Sequence, residues 1–430
     1  MREIQIGMIG LGTVGSGVLK MIQDNEGKIL NITGCRLHVK TIVVHNTSKR
    51  RQVPLWDTYL TNNFDELLND PEIPIVVEVM GGIHPAKERI AALLKAKKHV
   101  VTANKNLIAT DGPELTKLAA DNGVDLVYEA SVAGGIPILR TIANSFPADK
   151  ILEVRGIVNG TTNYILTKMN ADHLSYEKAL KQAQDLGFAE ADPTNDVAGF
   201  DAAYKMIILS QFSFGTRLTI DDLHVEGIEN INREDIKQAD AFGYIIKLIG
   251  IARRVKESVF AEVAPVLVPK GTPLATVNNE RNAVMVTGQA VGDVLFYGPG
   301  AGGLPTANSV LSDIIAVTQN IATGTTGHQF NNYRQHYQST SLDDICYRYY
   351  LSLTMKDVPG EMLRLTKIFA DINASFLTIV QSSSTAGLAK LAIVTHSMTR
   401  RQLLDLQAAI DKSPHHSLQL KAYPYPYPYS

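Results

Sequence analysis

Short β-branched runs alternate with helical stretches over the first third of the chain. The predicted strands cover residues 4–9, 37–45, 73–79, 99–102 and 124–128, and the predicted helices lie near 14–29, 85–96 and 112–121. Runs such as IVVEV (75–79) are apolar on both faces, as strands covered by helices on both sides should be. This alternation is typical of parallel βαβ units and predicts an α/β first domain over 1–133.

From about residue 134 the pattern changes to longer apolar-periodic segments mixed with strands. We predict helices over 162–170, 175–186, 199–212 and 239–256, and strands over 259–268 and 283–289. These elements predict a mixed α/β second domain over 134–303. The apolar spacing of Val310, Ile314, Val317 and Ile321 is again helical, and we expect this helix, over about 304–323, to complete the first domain.

The end of the chain predicts a small separate module. Residues 324–342 are polar and lack periodicity, so we place a linker over 324–346. The predicted order over 347–421 is strand, helix, two strands and helix, at 347–355, 360–372, 377–382, 389–395 and 399–411. Residues 422–430 are predicted as an extended, solvated tail, because the alternating prolines of YPYPYPYS oppose both helix and ladder pairing.

Composition narrows the class of protein. The 430 residues are 45% apolar and 20% charged, which suits about three globular domains. A net charge of −2 without a long basic block disfavours a nucleic-acid partner, and no segment reaches the roughly 18 uninterrupted apolar residues of a membrane span. Cys35 and Cys346 encode neither a disulfide framework nor a zinc site, as expected of a cytoplasmic protein.

The sharpest motif is the glycine loop GLGTVG, which directly follows the first predicted strand and opens a helix. Gly10 permits the tight turn, Gly12 lets the backbone approach a pyrophosphate, and Gly15 lets the helix pack on the strand. In this setting we favour dinucleotide binding over a purely structural turn. The predicted cofactor-binding set of the loop is Gly10, Leu11, Gly12, Thr13, Val14 and Gly15.

The second strand ends in VVHNTSKRR, without the acidic residue that accepts a ribose hydroxyl of NAD. Its basic cluster of Lys49, Arg50 and Arg51 suits the 2′-phosphate of NADP instead. We therefore favour NADP over NAD, with Arg50 as the contact, against the alternative of a solvated basic loop.

Two further side chains follow predicted strands. Lys105 lies just beyond the carboxyl end of a parallel strand, where open α/β sheets place their ligands, although surface lysines are also common there. Glu129 opens EASVAGGIP, a loop of small residues whose carbonyls can turn toward a common point. One carboxylate with several carbonyls suits a hard cation, and a helix cap is the alternative.

The segment GFAEADPTNDVAGFDAAYK carries four carboxylates before a single lysine. Asp201 and Lys205 are four residues apart, so on a helix the carboxylate can orient the ammonium. A surface ion pair worth about 0.3–0.5 kcal/mol is the alternative. The crowding of Glu190, Asp192 and Asp196 before that pair speaks for a site.

Together these motifs resemble the homoserine dehydrogenase family. The resemblance rests on GLGTVG, TANK ending at Lys105, YEASVAGGIPI from Tyr128, VNGTTNYIL from Val158, the acidic segment from Gly187, and GPGAGGLPTANSVLSDI from Gly298. These segments run in the family's order over roughly 4–320. The last seventy-odd residues resemble an ACT module, with KDVPGEM at its strand-to-helix turn.

The resemblance implies a role for each matching residue. Lys205 would be the catalytic acid/base, and Lys105 would assist at the nicotinamide and the substrate oxygen. The substrate-binding set would be Glu190, Asp201, Thr161, Asn163 and Asp196, with the first two holding the amino group. Gly187 and Gly303 would approach the cofactor. Glu129 and the carbonyls of Val132, Gly134 and Ile136 would match the family's structural sodium site.

The resemblance also implies a fold and a reaction. The expected architecture is a Rossmann-type domain, a mixed α/β substrate and dimerisation domain, and an α+β ACT domain. The expected reaction is the reversible reduction of L-aspartate 4-semialdehyde to L-homoserine, in threonine and methionine biosynthesis. We expect threonine to regulate the enzyme through the ACT domain, and a homodimer or homotetramer. Because His45 and Asn46 depart from the family's commoner basic-acidic pair, NAD stays open.

Two other functions fit part of the pattern. A non-catalytic amino-acid sensor would keep the dinucleotide fold for binding alone, but both lysines and the carboxylates are present. A dehydrogenase of another short amino-acid aldehyde or acid, such as aspartate, is the nearer alternative. Reduction of an aldehyde is chemically coherent with these residues, because an ammonium can give its proton to the developing alkoxide.

Overall fold

The computed structural model describes residues 2–51, 53–328, 330–331, 338–383, 387–412 and 419–425. The first sheet has six strands: β1 Arg2–Ile9, β2 Cys35–Val43, β3 Tyr59–Thr61, β4 Ile75–Glu78, β5 His99–Thr102 and β6 Leu126–Val127. Its helices are α1 Thr13–Asp24, α2 Glu26–Thr33, α3 Phe64–Leu68, α4 Ala86–Lys95 and α5 Lys105–Asp121. The strands are all parallel in the order β3-β2-β1-β4-β5-β6, which confirms a Rossmann-like sheet.

Two predicted helices of this sheet have different bounds. The helix predicted over 14–29 is two helices, since α1 ends at Asp24 and α2 begins at Glu26. The helix predicted over 112–121 begins earlier, at Lys105, because the Asn104 side chain caps it by accepting from the Leu107 N–H. Lys105 is therefore fixed at a helix start directly beyond β5.

The second sheet is mixed and carries most of its helices on one face. Its elements are α6 Ile138–Ser145, β7 Ile151–Ile157, α7 Gly160–Ala171, α8 Tyr176–Asp185, α9 Thr194–Val197, α10 Phe200–Phe214, β8 His224–Val225, α11 Arg233–Ala241, β9 Tyr244–Val255, β10 Ser258–Pro269, β11 Arg281–Gly288, β12 Gly292–Pro299, α12 Gly303–Thr323 and β13 Gln338–Ser339. The strand order is β12-β11-β7-β9-β10-β13, with β8 also paired to β10. Helix α12 packs back on α1, where a Cβ on Gly17 would lie 2.9 Å from the Ala307 Cβ.

The predicted helix over 239–256 is wrong. Helix α11 ends at Ala241, Gly243 has a φ of +81°, and β9 then runs between β7 and β10. Both faces of β9 are apolar, with Leu248 in the core beneath the helices and Ile249 in a cluster on the opposite face. A strand covered on both sides shows no alternation, so its apolar spacing resembled that of a helix.

The third sheet is antiparallel and forms the C-terminal module. Its elements are β14 Cys346–Lys356, α13 Glu361–Asp371, β15 Phe376–Ser383, β16 Leu388–Thr395, β17 Met398–Thr399, α14 Arg400–Asp411 and β18 Gln419–Tyr425. The order is β15-β16-β14-β17, and β18 pairs with β14. The module contacts α11, where Tyr350 donates to Gln238 and Lys421 pairs with Asp235 at 2.6 Å.

The prediction of a solvated tail from residue 422 is wrong for residues 422–425. These residues belong to β18 and pair with β14, with Pro424 opposite Tyr349. The sheet tolerates this proline because β18 is an edge strand, where a missing N–H costs no ladder bond. Residues 426–430 lie outside the described part of the chain.

Part of the predicted linker is packed into the body. Phe330 is buried, and its ring centroid lies 5.3 Å from that of Tyr128 and 5.1 Å from that of Phe212. Residues 338–339 form β13. Within the described residues, no helix has the length and apolarity that crossing a membrane requires.

Candidate active site

A cavity of about 620 Å³ lies where the first two sheets meet. Its walls come from the segment after β5, the loop after β6, the start of α7, the turn before α9, helix α10 and the glycine-rich turn before α12. The residues that line it are Ala103, Lys105, Ala130, Ser131, Ala133, Gly134, Asn159, Gly160, Thr161, Leu186, Gly187, Phe188, Asp196, Asp201, Lys205, Glu280, Arg281, Asn282, Pro299, Gly300, Ala301, Gly302 and Thr306. The cavity thus opens at the carboxyl ends of the parallel strands, where doubly wound sheets bind ligands.

One buried carboxylate joins both candidate lysines in this cavity. The Lys205 Nζ donates to Asp201 Oδ2 at 2.6 Å and to the Val158 carbonyl oxygen at 2.7 Å. The Lys105 Nζ lies 3.1 Å from the other oxygen, Asp201 Oδ1. Helix α10 supplies Asp201 and Lys205 one turn apart, and β5 with α5 brings Lys105 from the first sheet.

A second carboxylate lies next to this group. The Asn159 Nδ2 donates to Asp196 Oδ1 at 2.7 Å and to Asp201 Oδ2 at 2.8 Å, while its Oδ1 caps α7 by accepting from the Thr162 N–H. Burial by itself raises the pKa of Asp201, but the combined effect of Lys205 and Lys105 outweighs burial and lowers the pKa to about 2. Burial and the charge of Asp201 raise the pKa of Asp196. The two carboxylates therefore differ. Asp201 is held as an anion by two lysines, whereas Asp196 lines the same cavity and accepts from neither lysine.

The glycine loop has the geometry that a pyrophosphate needs. Gly10 has a φ of +101°, and a Cβ there would lie 2.8 Å from the Val79 carbonyl oxygen. Gly12 is the N-cap residue just before α1 and provides no side-chain cap, and a Cβ there would meet no atom within 4 Å. The first amides of α1 are thus open to an anion. Gly303 packs against this turn, since its Cβ would lie 2.8 Å from the Thr13 Cγ2.

The basic cluster after β2 places Arg51, rather than Arg50, at the glycine loop. The Arg51 Nη1 donates to the Leu11 carbonyl oxygen at 3.2 Å, and its Nη2 donates to the Asn46 carbonyl oxygen at 2.8 Å. Arg50 is exposed. The side chain of Asn46 turns the segment by accepting from the N–H groups of Ser48 and Lys49.

The loop after β6 buries a carboxylate. Glu129 is 1% exposed, and its oxygens accept from the Leu139 N–H at 2.8 Å and the Arg140 N–H at 2.7 Å. Its own N–H donates to Asp313, which is paired with the Arg140 guanidinium. Burial, followed by the charge of Asp313, raises the pKa of Glu129 to about 7.

The other predicted metal ligands lie in the same turn. Ala133 and Gly134 have φ angles of +52° and +39°, and a Cβ on Gly134 would lie 2.6 Å from the Gly300 carbonyl oxygen. The carbonyl oxygens of Gly134 and Ile136 accept from the Ser309 hydroxyl and the Ile138 N–H, and Val132 is buried beside them. The described residues contain no group of three or more His, Cys, Asp or Glu arranged to hold a metal.

Comparison with known proteins bears directly on this site. The family model described as homoserine dehydrogenase, NAD binding domain, matches residues 10–129, and the model described as homoserine dehydrogenase matches residues 137–315. The homoserine dehydrogenase of Bacillus subtilis is 45% identical over 408 residues, which cover 94% of each chain. The chain belongs to the homoserine dehydrogenase family. It is thus an NAD(P)-dependent oxidoreductase that acts on a CH–OH group, and the alternative of a non-catalytic sensor is excluded.

Solved structures of homoserine dehydrogenases share the fold. The enzyme from Thiobacillus denitrificans superposes with a TM-score of 0.90 at 35% identity, over 99% of both chains. The S. aureus enzyme at pH 7.5 gives a TM-score of 0.78 at 36% identity, also over 99% of both chains. A hyperthermophilic archaeal homoserine dehydrogenase mutant in complex with NADPH gives a TM-score of 0.63 at 28% identity, over 74% of this chain and 98% of that one.

Of the seven residues predicted for catalysis and substrate binding in a homoserine dehydrogenase site, five line the cavity and two do not, and the predicted Gly134 and Gly187 also line it. The predicted residues in its walls are Lys105, Gly134, Thr161, Gly187, Asp196, Asp201 and Lys205. Glu190 is exposed and absent from the lining. Asn163 is buried behind the wall, where its Nδ2 donates to the carbonyl oxygens of Asn279 at 2.8 Å and Arg281 at 3.1 Å.

One residue of this homoserine dehydrogenase site and one buried residue that supports it were missed in the sequence. Asn159 stood inside a recognised motif, and its place before a predicted helix was a usable capping signal. Glu78 is fully buried at the end of β4, where it accepts from the Met80 N–H at 2.8 Å and the Thr102 hydroxyl at 2.6 Å. It ties the turn at residues 80–82, which lies beside Gly10 of the glycine loop, to the strand that leads to Lys105. Nothing in the apolar run IVVEV distinguished it.

Proposed function

We propose that Lys205 is the acid/base of this homoserine dehydrogenase and exchanges a proton with the substrate oxygen, which is a hydroxyl in homoserine and an aldehyde in L-aspartate 4-semialdehyde. The observation that carries the proposal is the single buried carboxylate of Asp201, which holds the ammonium groups of Lys205 and Lys105 side by side in the cavity. The nicotinamide cofactor, when bound, supplies or accepts the hydride. The two lysines then face the oxygen on which charge develops.

The substrate's α-ammonium needs a carboxylate, and we assign it to Asp196. Both oxygens of Asp201 are already engaged by the two lysines and Asn159. Asp196 accepts from the Asn159 amide but from neither lysine. Thr161 lies in the same wall, where its hydroxyl donates to the Phe188 carbonyl oxygen at 2.6 Å. Glu190 stays a second candidate, on the exposed turn just after Phe188.

The overall proposal is tested by one set of assays. Initial rates are measured with L-homoserine, L-aspartate 4-semialdehyde and L-aspartate, each paired with NADP(H) and NAD(H). We expect turnover of the first two substrates only. Oxidation of aspartate at a comparable rate would favour the neighbouring dehydrogenase class instead.

We further propose NADP as the preferred cofactor. The guanidinium of Arg51 is fixed against Leu11 of the glycine loop, on the side of β2 where a 2′-phosphate would lie. The archaeal homoserine dehydrogenase with 28% identity is in complex with NADPH. The position of Arg51 supports a contact with the 2′-phosphate, and the archaeal complex supports NADP as the cofactor.

Replacing Arg51 by alanine is expected to raise the KM for NADP about tenfold and to leave the KM for NAD within about twofold, because only NADP carries the 2′-phosphate. Steady-state kinetics with both cofactors measure this. Arg50→Ala is the matched control, since Arg50 is exposed in the same segment. Equal effects of Arg51→Ala on both cofactors would contradict the assignment.

We also propose a structural sodium ion at Glu129 with the carbonyls of Val132, Gly134 and Ile136. Oxygen ligands suit a hard cation, and the buried Glu129 carboxylate accepts from two backbone N–H groups beside a second carboxylate, Asp313, so that the single Arg140 guanidinium faces two carboxylates. A bound cation would offset that charge.

The proposal gives a pH dependence with a defined sign. The folded-state pKa of Glu129 is about 7, above its ordinary 4.5, so its contribution to stability is complete below pH 4.5 and is lost as the pH rises through 7. In choline chloride, the free energy of unfolding of the native chain relative to Glu129→Gln should fall by about 1–3 kcal/mol between pH 5 and 8. Sodium chloride at equal ionic strength should remove most of that fall. Identical curves in the two salts would rule out the ion.

We propose that the C-terminal module, predicted over 347–421 and extended by β18 to Tyr425, is an ACT domain through which threonine inhibits the enzyme. The antiparallel sheet with its two helices, α13 and α14, supports this proposal. We propose that the chain divides into a first domain over 1–133, which α12 completes, a second domain over 134–303, and a linker over 324–346 in which Phe330 packs into the body. The free thiols of Cys35 and Cys346 support a cytoplasmic location.

Inhibition by L-threonine is expected to weaken at least about tenfold in Gly360→Ala, with basal activity unchanged. Gly360 has a φ of +95° at the KDVPGEM turn that opens α13, so a side chain there strains the proposed effector turn. Gly34→Ala is the matched control, because Gly34 has a φ of +69° at the end of α2 in the first domain and an added Cβ there meets no atom within 4 Å, as at Gly360. Equal inhibition curves for both variants and the native chain would place the effector elsewhere.

We propose a homo-oligomer that forms through the face of the second sheet opposite its helices. This face carries an apolar cluster that includes Ile249, Ile251, Val266 and Met285, and a cavity of about 610 Å³ borders it. Light scattering of the native chain and of Tyr297→Asp tests the proposal, because Tyr297 is 57% exposed on β12 and lies opposite Ala283 of this cluster, whereas Ile251 is buried within the chain. We expect a dimer or tetramer for the native chain and dissociation for the variant.

A further inference from the structure

A lysine is buried in the second sheet without a carboxylate partner. Lys247 of β9 is 1% exposed, and burial lowers its pKa to about 8. Its Nζ donates to the Val277 carbonyl oxygen at 2.6 Å, to Asn163 Oδ1 at 3.0 Å and to Asn278 Oδ1 at 3.3 Å. No carboxylate of the described residues pairs with it. Burying a cation without an anionic partner costs free energy, which suggests that the contacts of Lys247 serve a specific structural role.

Asn163 connects Lys247 to further backbone carbonyl groups of residues 277–281. Its Nδ2 donates to the carbonyl oxygens of Val277 at 3.2 Å, Asn279 at 2.8 Å and Arg281 at 3.1 Å. Lys247 orients this amide by occupying its Oδ1. The two side chains thus hold alternate carbonyls of the 277–281 segment, and Asn279 within it has a φ of +56°.

The 277–281 segment leads directly into the cavity wall. Its last two residues, Glu280 and Arg281, line the cavity. The Glu280 carbonyl oxygen packs on Gly160, where a Cβ would lie only 2.7 Å away. Gly160 stands between Asn159, which holds both carboxylates, and Thr161. A shift of the segment would therefore move the wall next to Asp196.

We propose that Lys247 is a positioning residue for substrate binding, which acts through Asn163 and the 277–281 segment on the Asn159–Thr161 wall. This inference rests on the proposed substrate site but not on the role of Lys205. Lys247 lies outside the cavity lining and touches no reacting atom.

The test compares two buried lysines. Lys247→Met removes the three donated bonds while keeping an apolar chain of similar length. Lys98→Met is the matched control, because Lys98 is 5% exposed and donates to the Asp70 and Ile73 carbonyl oxygens at 2.6 and 2.8 Å, away from the cavity. Both variants should lose stability in urea unfolding.

We expect Lys247→Met to raise the KM for homoserine at least about tenfold, with kcat changed less than threefold and the Kd for NADPH, measured by fluorescence, within twofold. Lys98→Met should leave all three within twofold. An unchanged KM in Lys247→Met, or parallel changes in both variants, would overturn the proposal.

A second variant serves if Lys247→Met does not fold. Asn163→Asp gives Lys247 a buried carboxylate partner but removes the amide donors to Asn279 and Arg281. The same rise in the KM for homoserine is expected, and a native KM in this folded variant would equally refute the proposal. Failure of the Lys205 assignment would instead appear as native kcat in a Lys205 variant, so the two outcomes are distinguishable.

Discussion

Lys205→Met is expected to lower kcat for homoserine oxidation by about 10³-fold, within the 10²–10⁴-fold range typical of a lost general acid or base. Methionine keeps the apolar stem of the side chain but carries no proton. Asp201 retains Lys105 and Asn159 as partners, so its buried charge is not left unpaired. The loss should therefore appear in turnover and not in folding.

Two further measurements and a control variant distinguish a loss of chemistry from a loss of structure in Lys205→Met. The Kd for NADPH and the free energy of unfolding should stay near native values, which separates chemistry from collapse of the site. Lys181→Met is the control, because Lys181 forms a 2.5 Å pair with Asp185 one turn away on the exposed face of α8. A kcat within tenfold of native in folded Lys205→Met would end the assignment.

The local part of the site was predictable from the sequence. Asp201 and Lys205 are one helical turn apart, and a single helix is enough to join them. The glycine loop was predictable for the same reason, since its strand, turn and helix are contiguous. The parallel sheet followed from the alternation of short strands and helices.

The non-local part was not predictable. Lys105 reaches Asp201 only because the first sheet and α10 meet at one cavity, and no spacing in the sequence records that contact. Glu78 stands in a run predicted as a strand covered on both faces, and Lys247 in a segment predicted as a helix, and neither pattern indicated a buried charge with a structural role. The choice between Arg50 and Arg51 depended on the turn made by Asn46, which composition does not reveal.

Asp201→Asn is expected to lower kcat/KM for homoserine by about 10²–10³-fold, because it removes the anion that holds both lysines while keeping a side chain of the same shape. The folded-state pKa of Asp201 is about 2, below its ordinary 3.8, so its contribution to stability is present above pH 3.8 and is lost as the pH falls through 2. The variant should therefore also be less stable at neutral pH.

The kcat and the KM for homoserine separate two roles for Asp201. If Asp201 holds the two lysines against the substrate oxygen, Asp201→Asn should lower kcat by more than it raises the KM. Asp196→Asn is the paired variant, and it should raise the KM for homoserine with a smaller effect on kcat, because Asp196 accepts from Asn159 and from neither lysine. If Asp201→Asn instead raises only the KM, Asp201 grips the substrate's amino group, and the lysines do not depend on it.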